Sequence, residues 1–399
     1  MDAKIREQIE KTEIKSLTHP FATRSCKSSG RQRNEEEDPI RPCFERDAHR
    51  ILYSTAFRRL RYKTQVFFNP EHDHITTRVD HSLFVASISY TVSRSLGLNT
   101  DLAYAIALGH DIGHGPFGHA GEEIIQNLAR KVDEKFSFQH EIHGLRVVDK
   151  LTFQPSTREH GLNLTYEVRD GIACHWGEDN TQYALPREEK NKLDLNELRE
   201  KGTSPCTQEA CVVRMVDRIA YVGRDVEDAM MVLKNLPSLP DGVTSALGSD
   251  NRSIINTLVT DLINESDKNR KEGKVGFSKE VFGALGELYK YNMENIYRHP
   301  RILDYEKKAK EIMRKIFENA RAQLDSKERT EWGHSEKEDP YPVRKLHQFI
   351  GNIYLDEEKN KIKVLETIVD YLSLMTDRFA LKIFGHLAIP EPFKEKERP

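Results

Sequence analysis

The chain has 399 residues, of which 37% are hydrophobic and 31% are charged, and its formal net charge is −3. A chain of this length can bury a sizeable core, so we expect a folded, well-solvated globular protein rather than a disordered one. The near balance of charge argues against broad coating of nucleic acid, although a local basic site for polyphosphate remains compatible with it.

The five cysteines are scattered and form no C-x-x-C pair, which disfavours a zinc knuckle. Cys206 and Cys211 are close enough in sequence to pair, but the spacing favours free thiols and a reducing compartment. The first residues, MDAKIREQIEKTEIKSL, lack the apolar stretch of a secretory signal, and no segment is long and apolar enough to span a bilayer. The sequence therefore predicts a cytoplasmic protein with no membrane association.

Residues 1–45 are polar and irregular, which predicts an N-terminal arm. We expect its stretch from Ser28 to Pro42 to be mobile or ordered only by a partner chain. A helical pattern begins at Arg46 and ends before Asn69-Pro70. Its apolar face consists of Ile51, Leu52, Phe57 and Leu60.

A second helix is predicted from about Asp80 to Leu96, and Gly97 stands where a terminal glycine is expected. Its apolar stripe is predicted to be Leu83, Phe84, Ile88, Val92 and Leu96. A third helix is predicted to start at Asn99 or Thr100, both suitable N-cap residues.

The segment HDIGHGPFGH, residues 110–119, contains three glycines and a proline, which cannot continue a regular helix. We expect a new helix to begin near Ala120. Further helical patterns cover residues 140–152, 208–235, 251–267, 278–297, 302–324, 343–355 and 360–386.

Strand patterns are few. A short hairpin is predicted near residues 152–167, where turn residues alternate with β-formers. The charge-rich stretches 187–201 and 326–340 are predicted to be solvated faces or surface loops. The fold class is therefore mostly α, with at most a short β-hairpin.

A His-Asp pair, His110-Asp111, stands where the third predicted helix meets the glycine-rich turn. One such dipeptide is weak evidence by itself. At a helix end, however, the two side chains can diverge toward one point. Imidazole and carboxylate together suit Mn, Fe, Co, Ni or Zn, and with water also Mg.

Asp217 lies within an apolar helical stretch, VVRMVDRIAYVG. Burying a carboxylate is costly unless it is paired or bound to a metal, so Asp217 is a second candidate ligand. His81 begins the second predicted helix. On position alone, an ordinary surface histidine explains it more easily than a metal ligand does.

A further group of titratable residues follows the His-Asp pair. His114, His119 and Glu122 lie within about a dozen residues of it, and His140 is further along. These side chains transfer protons near neutral pH. Core histidines bonded to backbone carbonyls would explain one or two of them, but not the whole set.

The order His81, His110-Asp111, Asp217 resembles the signature of the HD phosphohydrolases. The surrounding sequence is similar to that of a narrower family, the bacterial deoxyguanosinetriphosphate triphosphohydrolases and related dNTPases. The KTQVF, GHGPFGHAGE and DRIAY…D blocks are more specific to that family than the HD pair. The matching passages are RDAHRILYSTAFRRLRYKTQVF (46–67), RVDHSLFVASI (78–88), ALGHDIGHGPFGHAGEE (107–123), FQHEIHGLRVV (138–148), LNLTYEVRDGI (162–172), VDRIAYVGRDVEDA (216–229) and VDYLSLMTDRFA (369–380).

The resemblance implies an HD-domain helical core over residues 46–235 and additional C-terminal helices over 236–399 packed on it. It also implies residue roles at matched positions. The metal ligands would be His81, His110, Asp111 and Asp217. The catalytic residues would be His119 and Glu122, with His114 and His140 as further active-site histidines. The substrate-binding residues would be Arg78 and Arg218 for phosphate, Tyr221 and Asp225 for the deoxyribose, and Gln65 near the sugar.

The activity implied by the resemblance is hydrolysis of a dNTP, with dGTP as the default substrate, to deoxynucleoside and inorganic triphosphate. One divalent metal ion per site is implied: Mg, Mn, or another transition metal such as Fe, Co, Ni or Zn. His119, kept protonated by Glu122, would protonate the leaving 5′-oxygen. The reverse assignment, in which His119 handles the nucleophilic water, stays open. Tyr221 would exclude a 2′-hydroxyl.

The resemblance further implies a homo-oligomer (dimer, tetramer or hexamer) and, in some relatives, an allosteric dNTP. Two alternatives stay open. One is another HD nucleotidase or phosphodiesterase, and the other is a dNTP-sensing protein with weak single-stranded nucleic-acid binding.

The sequence departs from the family pattern in three places. Asp80 stands where the family usually has threonine, His72 and His74 are additions, and the ACHWGED segment (173–179) lacks the usual lysine.

Overall fold

The computed structural model describes residues 3–68, 74–154, 159–176, 181–188, 194–195, 198, 202–326, 331–354 and 363–389. Within these ranges the chain is mostly helical, as predicted. The α-helices are α1 Ala3–Ser16, α2 Cys43–Tyr53, α3 Thr55–Arg59, α4 Arg78–Leu96, α5 Thr100–Gly109, α6 Gly118–Arg130, α7 His140–Arg146, α8 Tyr166–Ala173, α9 Gln208–Val232, α10 Asp241–Ala246, α11 Asn251–Lys268, α12 Lys279–Asn292, α13 Pro300–Asp325, α14 Tyr341–Ile353, α15 Val364–Ser373 and α16 Asp377–Ala388.

The described strands are two residues long and form two antiparallel pairs. Strands β1 (Phe153–Gln154) and β2 (Glu159–His160) make the predicted hairpin. Strands β3 (Tyr183–Ala184) and β4 (Val275–Gly276) make a second pair that the sequence did not predict. Its partners are about ninety residues apart, so no local pattern of turn residues marks it.

The helical pattern predicted from Arg46 is divided into α2 and α3. Ser54 has an extended backbone, and its side chain accepts a hydrogen bond from the backbone N–H of Phe57 at 3.0 Å. A serine in this position begins a new helix rather than continuing the old one. The predicted apolar face is nevertheless largely buried, because Ile51, Phe57 and Leu60 all belong to the core.

Helix α4 ends at Gly97, which has a left-handed backbone with φ of 71°, as predicted. The predicted apolar stripe is partly wrong, since Leu83 and Phe84 are 41% and 40% exposed. The buried face instead carries Val85, Ala86, Ser82, Ser89 and Ser93 with Val92 and Leu96. Small serines permit close packing against α5 and α9, and a hydrophobicity pattern does not register them.

Asp80 caps the start of α4. Its carboxylate accepts hydrogen bonds from the backbone N–H and the hydroxyl of Thr77, at 2.9 and 2.7 Å. This is a capping box, in which the third helical residue reaches back to the N-cap. The departure at position 80 therefore serves to start the helix that carries His81.

The N-terminal arm packs on its own chain, so the prediction that residues 28–42 are mobile or ordered only by a partner is wrong. The guanidinium of Arg31 forms an ion pair with buried Asp47 and donates to the carbonyl of Asn163. The hydroxyl of Ser28 donates to Glu167 at 2.7 Å. The compositional signal of disorder failed because these few polar anchors pair with buried acceptors far along the chain.

The C-terminal helices pack on the core. Helices α13 and α15 contact α6, and the predicted helix 360–386 is divided into α15 and α16 by a short turn. Thr376 caps α16 by accepting from the N–H of Phe379. This turn brings Ser373 and Asp377 beside the glycine-rich segment 110–119. The predicted boundaries at residues 45 and 235 stay predictions.

All five cysteines are free thiols, as predicted. In the described part of the chain, no helix combines the length and the apolar character that crossing a membrane requires.

Candidate active site

The four predicted metal ligands converge at the junction of α4, α5 and α9. The Nε2 atom of His81 lies 2.9 Å from the Oδ1 atom of Asp217 and 3.3 Å from Nε2 of His110. The Oδ1 atom of Asp111 lies 3.6 Å from Nε2 of His110, and its Oδ2 atom lies 3.9 Å from Nε2 of His81. Ligands about 2.1 Å from one ion are separated by about 3 Å, so the donors of His81, His110 and Asp217 fit a single divalent ion, and the Asp111 carboxylate lies beside them.

The orientation of His110 is set by the end of α5. Its Nδ1–H donates to the carbonyl of Ala107 at 2.7 Å, which directs Nε2 toward the other ligands. Metal-binding histidines are commonly held in this way through their second nitrogen. Burial opposes protonation of His110, but the carboxylates of Asp111 and Asp217 outweigh it and raise its pKa to about 9. That negative charge favours a cation at this point.

Arg78 lies beside the ligand set and is almost fully buried. Its Nη1 atom donates to Oδ2 of Asp111 at 2.9 Å. Burial alone would raise the pKa of Asp111, but Arg78, together with His110 and His114, holds it well below its usual value. The Nε and Nη2 atoms of Arg78 are buried and have no hydrogen-bond partner in the described part of the chain. These donors remain available for an anionic ligand.

The glycine-rich segment is shaped by close backbone approaches. A Cβ atom at Gly113 would lie 2.0 Å from the carbonyl oxygen of His140, so only glycine allows α7 to come this near. Phe117 and Gly118 then adopt left-handed backbone angles, with φ of 68° and 62°, at the start of α6. Such a conformation is unfavourable for phenylalanine and persists where the surrounding structure enforces it.

The predicted catalytic residues form a second cluster on the other side of Asp111. The rings of His114 and His140 are stacked, with centroids 3.7 Å apart. Nε2 of His114 lies 3.1 Å from Oδ1 of Asp111. His119 is exposed, and its ring centroid is 5.3 Å from that of His114.

Glu122 contacts His140 and also lies near His119, the partner that the resemblance implied. Its carboxylate accepts from Nδ1 of His140 at 2.8 Å and from the backbone N–H of His140 at 3.2 Å. His114, His119 and Glu122 still form one group of potential ligand atoms within 4.8 Å of one another. The close contact of α7 with the glycine-rich turn, which the sequence could not predict, also brings His140 into contact with Glu122.

A cavity of about 790 Å³ opens onto this centre. Its walls include ten of the thirteen predicted site residues: Gln65, Arg78, His81, Asp111, His114, His119, His140, Asp217, Tyr221 and Asp225. His110 and Glu122 lie behind that wall and hold residues that form it. Arg218 does not line the cavity, because its Nη2 atom donates to the carbonyl of Thr181 at 3.0 Å.

The far wall of the cavity comes from α12, α13 and the helical segment between them. The hydroxyl of Tyr297 donates to Oδ2 of buried Asp225 at 2.6 Å. Burial is the main reason that the pKa of Asp225 is raised to about 7. Phe68 and Tyr305 are in ring contact on the same side, with centroids 3.8 Å apart. Aromatic and apolar side chains predominate at this end, which Arg301 and Glu306 also line, whereas the metal-ligand end is charged.

Sequence reasoning missed three residues of this site. Tyr297 and Tyr305 follow no motif, and the fold alone places them on the cavity wall. His175 is buried, lines the cavity beside His110 and His140, and has its pKa lowered to about 4, mainly by burial. The unusual ACHWGED segment was the only signal for it. Residues 177–179 of that segment, and the added His72, lie outside the described residues.

Comparison with known families supports the assignment of this centre. The model of the HD domain matches residues 78–222, a range that contains all four predicted ligands. The model of the phosphohydrolase-associated domain matches residues 275–386, which supply the aromatic wall of the cavity. HD domains are metal-dependent hydrolases, so the His and Asp cluster of this chain fits a metal centre.

Three curated relatives match almost the whole chain, and each of them is called a deoxyguanosinetriphosphate triphosphohydrolase-like protein. The one from Desulfatibacillum aliphaticivorans is 35% identical, covering 97% of this chain and 99% of the relative. The one from Caldanaerobacter subterraneus subsp. tengcongensis is 36% identical over 98% of both chains. The one from Clostridium tetani is 34% identical over 97% of both chains. The chain belongs to this family of phosphohydrolases, the deoxyguanosinetriphosphate triphosphohydrolase-like proteins with an HD domain.

Proposed function

We propose that the protein hydrolyses a deoxynucleoside triphosphate to the deoxynucleoside and inorganic triphosphate, with dGTP as the default substrate. The observation that carries this proposal is the division of one cavity into two ends. A charged end contains His81, Asp111, Asp217 and Arg78, and an aromatic end contains Tyr297 and Tyr305. A nucleotide has the same division between its phosphates and its base.

His81, His110, Asp111 and Asp217 would hold one divalent ion. When bound, such an ion supplies electrophilic stabilisation of a phosphate oxygen. Mixed imidazole and carboxylate donors suit Mn, Fe, Co, Ni or Zn, and Mg with additional water, so the identity of the ion is part of the proposal.

Arg78 supplies the positive charge that the protein itself directs at the phosphates. One nitrogen is committed to Asp111, which fixes the guanidinium, and two nitrogens remain without a partner in the described structure. Preorganised donors of this kind stabilise charge that develops in a transition state. Arg218, which faces Thr181, would reach a phosphate only after a rotation of its side chain.

A proton donor is required because a 5′-alkoxide is a poor leaving group. We assign this role to His119, which stands exposed at the cavity wall and shares its cluster with Glu122. His114 and His140 border the same space and orient the groups around it. The bond from His140 to Glu122 makes a second arrangement available, in which this pair orients the attacking water instead.

The sugar would lie between the two ends of the cavity. Tyr221 occupies the wall next to the metal ligands, with its ring centroid 6.4 Å from that of His81. A ring there excludes a 2′-hydroxyl by contact. Asp225 and the side-chain oxygen of Gln65, which is buried without a partner, are acceptors for the 3′-hydroxyl.

We propose a cytoplasmic homo-oligomer, a dimer, tetramer or hexamer, with dNTP as its ligand. We also propose that the protein has an allosteric site for a dNTP and binds single-stranded nucleic acid weakly. Support comes from the family resemblance and from exposed apolar side chains such as Leu83 and Phe84.

The test is to incubate the purified protein with each dNTP and NTP in Mg or Mn and to identify every product. Deoxynucleoside and triphosphate in equal amounts would support the proposed bond cleavage. Monophosphate with pyrophosphate would refute it and favour another HD nucleotidase. Asp217→Ala should abolish turnover and reduce bound metal, whereas His347→Gln, a buried histidine outside the cavity, should change neither.

A further inference from the structure

A smaller cavity of about 370 Å³ lies where α3 faces α14 and the turn between α15 and α16. Among the described residues, none that lines it also lines the active-site cavity. Its polar groups are cations, hydroxyls and amides, and no described aspartate or glutamate is part of its wall. Its apolar surface comes mainly from Leu151, Phe153, Phe349, Leu374, Met375 and Phe379.

Arg59 places a positive charge in this cavity. The side chain is mostly buried, and its Nη1 atom has no hydrogen-bond partner in the described part of the chain. Burial lowers the pKa of Arg59, but a guanidinium stays charged in a protein. Lys63 is a neighbouring cation, since burial and then the charge of Arg59 lower its pKa. A buried charge without a counterion is costly, so this guanidinium indicates a missing anion.

Two more side chains of the same wall can donate to an anion. The hydroxyl of Tyr371 is buried and has no partner among the residues that the structure describes. The ammonium of Lys345 donates to Oε1 of Gln348 at 2.8 Å, which leaves two of its three hydrogens for a ligand. Buried donors without a partner are rare in native proteins and often mark an ion or water.

We propose that this cavity binds a small organic anion, whose carboxylate or phosphate monoester pairs with Arg59 and whose apolar part lies against Phe349 and Tyr371. The planar fork of arginine matches both kinds of oxyanion through two parallel hydrogen bonds. The rings of Phe349 and Tyr371 have centroids 5.2 Å apart and form a continuous aromatic surface. The cavity has less than half the volume of the active-site cavity, about 370 against 790 Å³, so the ligand is smaller than a nucleoside triphosphate.

A ligand in this cavity would contact the segment that holds the glycine-rich turn. Residues 374–376 line the cavity. On one side of them, the carbonyl of Ser373 accepts from Lys63 at 2.9 Å. On the other side, the carboxylate of Asp377 accepts from the backbone N–H of Phe117 at 2.9 Å. Binding should therefore stabilise the folded protein by linkage, whichever nucleotide the active site hydrolyses.

The experiment is isothermal titration calorimetry of the full-length, chelator-treated protein with benzoate, phenyl phosphate and inorganic phosphate. Benzoate and phenyl phosphate distinguish a carboxylate ligand from a phosphate ester, and at least one of them should bind once per chain. Arg59→Met should weaken that binding at least about tenfold, because it removes the charged partner. Arg58→Met, which removes the exposed neighbouring arginine on α3, should bind as the wild type does. Binding at the active-site cavity would not depend on Arg59.

Denaturant unfolding of the same variants separates a binding role from a structural one. Without ligand, Arg59→Met should be at least as stable as the wild type, because it replaces an uncompensated charge by an apolar side chain. Should Arg59→Met fail to fold, Lys345→Met tests the same site and should also weaken binding. Failure of both organic probes to bind the wild type, or undiminished binding by the cavity variants, would overturn the site. Equal affinity for inorganic phosphate and phenyl phosphate would overturn the assignment of an organic ligand.

Discussion

The carboxylate of Asp377 accepts a hydrogen bond from the backbone N–H of Phe117 at 2.9 Å. Asp377 begins α16, whereas Phe117 adopts the left-handed conformation that precedes α6, the helix carrying His119 and Glu122. The same carboxylate accepts from the backbone N–H and hydroxyl of Thr64. One acid of the C-terminal region therefore holds both the glycine-rich turn and the segment that contains Gln65.

We predict that Asp377→Ala destabilises the protein by about 2–5 kcal/mol, because it leaves two buried backbone donors without an acceptor. The measurement is the free energy of unfolding in denaturant. Asp377→Asn keeps one acceptor oxygen and should cost less. Thr64→Val removes only a hydroxyl and serves as the control, with an expected cost of about 1 kcal/mol. Equal stability of Asp377→Ala and wild type would contradict the role of this contact.

Lys63 makes a second contact between the glycine-rich turn and the C-terminal helices. Its buried ammonium donates to the carbonyls of His114 and Ser373. Burial is the main cause of lowering its pKa to about 7. The KTQVF block, which resembles the family, therefore has a structural role. Its Lys63 and Thr64 join the glycine-rich turn to α15 and α16.

Glu122 is expected to act together with His140. Replacing Glu122 by Gln should lower kcat by about 10²–10⁴-fold, the range for loss of acid–base assistance. His140→Gln should have a similar effect, and the double variant should be little worse than either single one, because both changes break the same contact. Steady-state kinetics on dGTP gives the measurement. Fully multiplicative losses in kcat would show that Glu122 and His140 act separately.

His119 is tested by the same kinetic measurement. If His119 is the proton donor, His119→Gln should lower kcat by about 10²–10⁴-fold. A variant that retains the wild-type kcat would assign the proton donor to another residue.

Tyr221 should control the choice between deoxyribonucleotides and ribonucleotides. Tyr221→Ala opens space beside the sugar, so the ratio of kcat/KM for dGTP to that for GTP should fall by at least about tenfold. Tyr221→Phe retains the ring and should retain most of the preference. Competition assays with the two nucleotides measure the ratio directly. An unchanged ratio in Tyr221→Ala would refute the proposed contact.

Much of the candidate site could be proposed from the sequence because its candidate ligands lie within contiguous motifs. His110 and Asp111 follow a helix that an ordinary N-cap begins, and Asp217 stands out in an apolar helix. What failed depended on contacts between distant segments. The contact of Glu122 with His140, the burial of Ser82 in α4 and the position of the His175 ring are set by helix packing, which hydrophobic periodicity does not encode.

The raised pKa of Asp225 makes the free energy of unfolding depend on pH. Its pKa is about 7 in the folded protein and about 3.9 in an unfolded chain, so the folded state binds more protons between these values. Stability therefore falls as pH rises from about 4 to 7. Asp225→Asn removes this loss, and one pKa unit corresponds to about 1.4 kcal/mol, so its gain at pH 8 is at most about 4 kcal/mol.

Tyr297→Phe is the matched comparison for Asp225→Asn. It removes the hydroxyl that donates to the Asp225 carboxylate, and this donor holds the pKa of Asp225 below the value that burial alone would give. Tyr297→Phe should therefore lose more stability than the wild type as pH rises, whereas Asp225→Asn should lose less. Denaturant unfolding of the chelator-treated protein at several pH values between 4 and 8 measures both. Parallel curves for all three proteins would mean that Asp225 titrates alike in the folded and unfolded states.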